Sequence, residues 1–265
     1  MKRVLCPDLP KPGKPVQLAA SEARHAVHVL RLRNGDTIEA LDGKGSATPA
    51  LLKIRGDSVW LEFLPGSPRP DPQRSVMAAS NLVLEMAVLK GDAMEWVVEK
   101  SVELNVRKLV PLLTAHTVVQ MKQKGPEVFQ ERWQKIADQA LKQCGRLEKM
   151  EIALPRPLGT TLGEPLSPSS VRLFCDENAR RNGATPLARW LYERPSAVAD
   201  IRLLIGPEGG WSHEEREFIT QTAAASKIFP VSLGPLVLRA ETAALFGISL
   251  ISGVFQAYLE TKQQD

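Results

Sequence analysis

Four prolines within eight residues, in Pro65-Gly66-Ser67-Pro68-Arg69-Pro70-Asp71-Pro72, constrain this chain more than any other feature. Proline removes a backbone donor and fixes φ, so neither a continuous helix nor a central strand can run through the segment. A linker is expected there, with a boundary near residue 73 that divides the chain into units 1–73 and 74–265. A length of 265 residues is compatible with one large or two small domains at roughly 150 residues each. On the N-terminal side, short β-like runs over 37–41, 50–54 and 58–64 are separated by turns at Asp42-Gly43-Lys44-Gly45 and Gly56-Asp57. The segment 21–32 is predicted helical, with Ala23, Ala26, Val27 and Leu30 on one face and Ser21 as its cap. The first unit should be small and mostly β.

Beyond the linker, strands and helices alternate. The run 81–89 reads as a strand, and Asp92 can cap a helix whose Met94, Val97, Val98, Ser101 and Val102 recur at helical spacing. Asn105 ends it, because Asn tolerates the left-handed cap. A strand over 106–113 completes a βαβ unit and predicts a parallel sheet. A helix over 127–144 stops at Gly145, and 171–175, 201–205 and 227–231 are further strands. Ala244, Ile248, Ile251 and Phe255 place one apolar face on a terminal helix. The expected class is α/β.

Charge is unevenly placed. Residues 1–75 hold 12 Lys/Arg against 8 Asp/Glu, whereas 76–265 hold 22 of each. The basic excess therefore sits in the first unit, as in a nucleic-acid footprint or an ordinary solvated surface. Aromatics are scarce there, so phosphate and shape rather than base stacking would be read. Cys6, Cys144 and Cys175 are odd in number and far apart, with no ligand spacing. They predict neither a disulfide scaffold nor a metal site, and they suit a reducing cytoplasm. No apolar run follows the basic N-terminus, so no signal peptide is expected. The uncharged stretch 242–259 is broken by Gly247, Ser249, Ser252, Gly253 and Gln256, which predicts a buried helix rather than a membrane span.

Two blocks carry chemistry. In Leu203-Leu204-Ile205-Gly206-Pro207-Glu208-Gly209-Gly210-Trp211-Ser212-His213-Glu214-Glu215, an apolar strand enters a glycine-rich turn and then a helix start. Ser212 and Glu215 have capping-box spacing. Such turns often cradle phosphate, but Glu208 and the acids that follow disfavour a polyphosphate and suit a neutral or cationic ligand. A tight turn without a ligand is an equal reading of these residues alone. The second block, Val231-Ser232-Leu233-Gly234-Pro235-Leu236-Val237-Leu238-Arg239-Ala240-Glu241-Thr242, is another strand–loop–helix junction. Arg239 and Glu241 flank the start of the last helix and could simply pair. Two Gly-Pro turns at the ends of consecutive strands predict one pocket at the carboxyl edge of the sheet. His25, His28, His116 and His213 are scattered, and Asp176-Glu177 end a strand, where they could meet substrate or form an exposed loop pair.

The blocks IGPEGGWS and LGPLVLRAETAA closely resemble those of the ribosomal small-subunit methyltransferase E family of the SPOUT superfamily. The likeness extends to His28-Val29-Leu30-Arg31, Asn34-Gly35-Asp36, Leu41-Asp42-Gly43, Lys90-Gly91-Asp92 with Glu95, Lys100-Ser101 with Glu103-Leu104, and Gln143-Cys144-Gly145-Arg146. The family usually has Gly where Asn105 stands and Arg where Leu236 stands.

The resemblance implies an N-terminal PUA-like barrel, a SPOUT-type C-terminal domain with a trefoil knot, and a homodimer; the residues themselves predict no membrane span and no metal site. It also implies N3-methylation of one uridine in 16S ribosomal RNA with S-adenosylmethionine. Leu204, Gly206, Glu208, Gly209, Leu233, Gly234 and Leu238 would lie around that cofactor. Arg239 would stabilise the charge that develops on the base, with Glu241 orienting it or assisting proton removal. Arg3, Arg24, Arg31 and Arg33 are candidate RNA phosphate contacts, or ordinary solvated arginines. The alternatives are a SPOUT enzyme acting on another nucleotide and a non-catalytic RNA-binding assembly factor; a phosphate-binding metabolic enzyme is disfavoured by Glu208.

Overall fold

A computed structural model describes residues 2–9, 14–64, 69–70, 81–119, 125–179, 181–194 and 200–262. The expected linker, apart from Arg69-Pro70, lies outside the described residues. The chain divides into two compact units: Met1–Arg74 with Asp138–Lys149, and Ser75–Ala137 with Met150–Asp265.

The first unit holds β1 (Arg3–Leu5), β2 (Val16–Gln17), helix α1 (Ala20–Arg24), β3 (Thr37–Leu41), β4 (Ser46–Arg55), β5 (Ser58–Phe63) and β6 (Arg69–Pro70). Its sheet runs β1-β3-β4-β5-β2, with β6 beside β4. The first pair is parallel and the others antiparallel. Among the described residues β1 and β2 do not pair, so this mostly β unit is a half-barrel. Val4, Leu18, Ala26, Ile38, Leu52, Val59 and Leu61 form its core. Ser21 is not the cap of α1. Ala19 holds that position without a side-chain bond, and the helix passes into a wider π turn over His25–Val29.

The second unit begins with β7 (Asn81–Ala87), α2 (Asp92–Glu103) and β8 (Lys108–Leu113), the predicted parallel βαβ unit. Met94, Val97, Val98, Ser101 and Val102 are the buried face of α2. Gly91, not Asp92, occupies its cap; Asp92 stands in the first turn, where its charge still suits the helix dipole. Asn105 takes the left-handed conformation at φ 63°. Then follow α3 (Pro126–Cys144), whose residues from Asp138 onward belong to the first unit, β9 (Glu151–Ile152), β10 (Arg156–Pro157), α4 (Leu158–Gly163), β11 (Ser170–Cys175), β12 (Thr185–Pro186), α5 (Leu187–Glu193), β13 (Asp200–Ile205), α6 (His213–Thr222), β14 (Ile228–Ser232) and α7 (Ala240–Lys262).

All strands of the second sheet are parallel, in the order β10-β8-β7-β13-β11-β14-β12 with β9 beside β8. Strand β13 is inserted between β7 and β11, which precede it in the chain, and β14 lies beyond β11. One face packs Val83, Val110, Phe174 and Leu204 under Leu158 and Leu162 of α4 and Ile219 of α6. α7 packs against α2, β7 and β13, with Ala244, Ile248 and Ile251 buried. It is the one described helix long and apolar enough to cross a membrane by length and composition, and 28% of that window is buried within the chain.

An ion triad with a fully buried centre spans the inserted strand. Glu85 on β7 accepts from Arg202 of β13 at 3.0 Å and from Arg172 of β11 at 2.9 Å. Glu85 and Arg172 are fully buried, and Arg202 is largely so. Arg172 also donates to the Thr161 carbonyl of α4 at 2.6 Å. The carboxylate thereby links both strands that flank β13.

Candidate active site

Parallel strands present all their carboxyl ends at one edge, and there β11, β13 and β14 deliver their loops to a cavity of about 620 Å³. Small-ligand sites span roughly 300–1,000 Å³. Cys175, Asp176 and Glu177 supply one wall, the run 205–211 a second and most of 232–239 a third. Ala240, Glu241 and Ala243 of α7 and Ala93 of α2 complete it.

The glycine-rich turn is held rigidly. Ser212 accepts from the Glu215 backbone at 3.2 Å, and Glu215 accepts from the Ser212 backbone at 2.9 Å, the predicted capping box of α6. Trp211 is buried beside Phe174, ring centroids 5.6 Å apart, and its Nε1–H donates to the Cys175 carbonyl at 3.0 Å. That bond joins the β13 loop to the β11 exit. On the third wall, Gly234 has φ +128° with open space where a Cβ would stand. A side chain there would be strained by the backbone alone, and the open space leaves room for a ligand.

Asp176, Glu177, Glu208 and Glu241 line the cavity against one base, Arg239. Arg216 of α6 pairs with Asp176 at 3.2 Å and also with Glu177. Burial, followed by the hydrogen bond with Asp176, pushes the Glu177 carboxyl above the usual range. Burial also raises the Cys175 thiol, which makes it a poor nucleophile. The Glu208 carboxylate accepts from the Lys90 backbone at 3.3 Å. The balance of charge favours a ligand with positive character.

Of the predicted residues, Gly206, Glu208, Gly209, Leu233, Gly234, Leu238, Arg239 and Glu241 all line this cavity. No ion pair joins Arg239 and Glu241 among the described residues, so the simple pairing of the two is not what holds them there. Arg239 is exposed and Glu241 half-buried. Leu204 is not among the residues lining the cavity: its side chain is fully buried in the core under α4 and α6, and its neighbour Ile205 lines the cavity. Alternation along a strand sends successive side chains to opposite faces, which separates the two. Leu236 lines the rim with 76% exposure, apolar where the resembled family usually has Arg.

In the first unit Arg24, Arg31 and Arg33 are exposed. Arg3 is not a free surface cation. It pairs with Glu39 at 3.0 Å and donates to the carbonyls of Lys142 and Gln143 at 3.1 and 3.3 Å. Sequence patterns assign no site role to Cys175 or Trp211, and of the two readings open for Asp176-Glu177 the exposed loop pair does not hold: both line the cavity and pair with Arg216. Among the described residues no group of three or more His, Cys, Asp or Glu could hold a metal.

Comparison with known proteins matches residues 77–252 to the RNA methyltransferase domain family and 18–64 to the RNA methyltransferase PUA domain family. The chain is 29% identical over 244 residues to ribosomal RNA small subunit methyltransferase E of Synechocystis, covering 91% of this chain and 74% of the relative. It is 27% identical to the Bacillus subtilis protein of the same name, covering 89% and 88%. Among solved structures, ribosomal RNA small subunit methyltransferase E of Neisseria gonorrhoeae bound to S-adenosyl methionine superposes with a TM-score of 0.80 at 27% identity, covering 95% of this chain and 96% of the other.

Proposed function

The chain belongs to the RNA methyltransferase family, and we propose that it transfers a methyl group from S-adenosylmethionine to N3 of a uridine in 16S ribosomal RNA. The observation that carries this reading is the single cavity walled by both loop blocks, with Arg239 at its edge. The residues present fit the cofactor: the volume suits it, four carboxylates outnumber the two guanidinium groups of Arg239 and Arg216 and leave the site net negative, and the positive φ of Gly234 keeps a side chain out. Backbone of Gly206, Gly209, Leu233, Gly234 and Leu238 would hold it, with Glu208 and Glu177 on the acidic side.

When bound, S-adenosylmethionine supplies an electrophilic methyl on a sulfonium that leaves as a neutral thioether. The acceptor must lose its N3 proton, which spreads negative charge over O2 and O4 of the base. Arg239 stands at the start of α7, where its carbonyl accepts the Ala243 N–H at 2.8 Å. Its guanidinium and the positive end of the helix dipole act together on that anion. Glu241, unpaired with Arg239 and lining the same cavity, takes the proton or passes it to water. Holding donor and acceptor in one cavity converts an encounter into an aligned displacement.

The first unit, PUA-like in its family match, binds RNA phosphate through exposed Arg24, Arg31 and Arg33. A second copy of the chain is read as covering the outer face of α7: Phe246 and, on the adjoining α2, Trp96 are each 44% exposed. Free Cys6, Cys144 and Cys175 support a cytoplasmic location. The test is equilibrium binding of S-adenosylmethionine together with transfer of labelled methyl to undermethylated small ribosomal subunits. Binding with label in the RNA supports the reading; absence of both refutes it.

A further inference from the structure

The turn that leaves β8 carries no side chain into the cavity, yet it grips the cavity's glycine-rich wall. Thr114 and Thr117 lock the turn: the Thr114 N–H donates to Thr117 Oγ1 at 3.0 Å, the Thr117 N–H to the Thr114 carbonyl at 3.1 Å, and the two hydroxyls meet at 2.8 Å. From this rigid turn the Ala115 N–H donates to one oxygen of Glu215 at 2.8 Å, while the other oxygen of Glu215 holds the Ser212 N–H at 2.9 Å. His116 Nδ1 lies 2.8 Å from the Gly210 carbonyl oxygen. A carbonyl can only accept, so Nδ1 carries the proton and donates. A Cβ placed on Gly209 would stand 3.0 Å from that of His116, so the histidine also packs along the outside of the turn.

We propose that His116 is a positioning residue for the methyl-donor site. Its Nδ1–H fixes the Gly210 carbonyl and with it the cavity-facing backbone from Gly206 to Gly210. It does so from outside, without touching the reacting groups. The Gly210 carbonyl follows a backbone at φ +70°, and His116 is the side chain that meets that oxygen. Loss of the donor would let the wall relax, weakening the bound state more than the chemical step. This inference rests on the cavity being the S-adenosylmethionine site.

The test compares His116→Ala, His116→Asn and His116→Gln with the wild-type chain, in S-adenosylmethionine binding by calorimetry and in steady-state methyl transfer. Asparagine places an N–H at the same bond count from the backbone as Nδ1, and glutamine places it one carbon further. His116→Ala should weaken cofactor binding and raise KM about five- to tenfold, the size of one net hydrogen bond, with kcat changed much less. His116→Asn should recover most of the loss and His116→Gln should not. Wild-type affinity in His116→Ala, or equal loss in the Asn and Ala variants, overturns the proposal alone. A wild-type chain that binds no S-adenosylmethionine overturns the cavity assignment and the proposal with it.

Discussion

A Cβ added to Gly206 would lie 2.8 Å from both Cε2 and Nε1 of Trp211. The indole cannot retreat, since it is buried against Phe174 and its N–H is bonded to the Cys175 carbonyl. Gly206→Ala is therefore expected to destabilise the second unit by roughly 1–3 kcal/mol, the usual range for overpacking, and to weaken cofactor binding. Gly163→Ala has open space and an ordinary backbone, and should leave both unchanged. Thermal unfolding of the two variants side by side checks this; equal melting temperatures would show that the turn can yield.

Arg239 is exposed, and no ion pair holds it among the described residues. Arg239→Ala should leave the melting curve and cofactor binding close to wild type while lowering kcat by about 10²- to 10³-fold, as removal of an oxyanion-stabilising donor does. Undiminished turnover would exclude it from the mechanism.

Glu85 neutralises two guanidinium groups away from solvent, with Arg172 fully buried beside it. Glu85→Ala should cost about 3–5 kcal/mol, because breaking a buried pair strands its partners. The measurement is denaturant unfolding. A loss below about 1 kcal/mol would mean that solvent reaches the triad, as in exposed pairs.

The four arginines of the first unit should separate into two classes. Replacing Arg24, Arg31 or Arg33 by Ala should lower the slope of log affinity against log salt by roughly 0.7–0.9 for each phosphate no longer neutralised, with no change in stability. Arg3→Ala should instead lower stability by about 1–3 kcal/mol, because it breaks charged hydrogen bonds to Glu39 and to two carbonyls near the end of α3. RNA binding across a salt series, with unfolding curves, distinguishes the classes.

Much of the fold was legible wherever chemistry is local. The buried face of α2 from Met94 to Val102, the left-handed Asn105 and the Ser212–Glu215 capping box all follow from spacing within a few residues. Long-range order was not. That β11 lies between β13 and β14, bringing Cys175, Asp176 and Glu177 into the cavity, depends on strand insertion that no local pattern encodes. The same holds for the grouping of Asp138–Lys149 with the first unit. Strands of two residues, such as β9, β10 and β12, are too short for any periodicity. Arg3 looked like a free cation because its carbonyl partners lie 139 and 140 residues away. Leu204 and Ile205 are both apolar, and only the facing of β13 decides which of them meets the cavity.

The most direct test is nucleoside analysis of 16S ribosomal RNA after small subunits lacking the modification are incubated with this protein and methyl-labelled S-adenosylmethionine. Label recovered as 3-methyluridine, and lost in Arg239→Ala, is the predicted result. Label in a different nucleoside, or none although the cofactor binds, would contradict the assignment of uridine N3 as the acceptor.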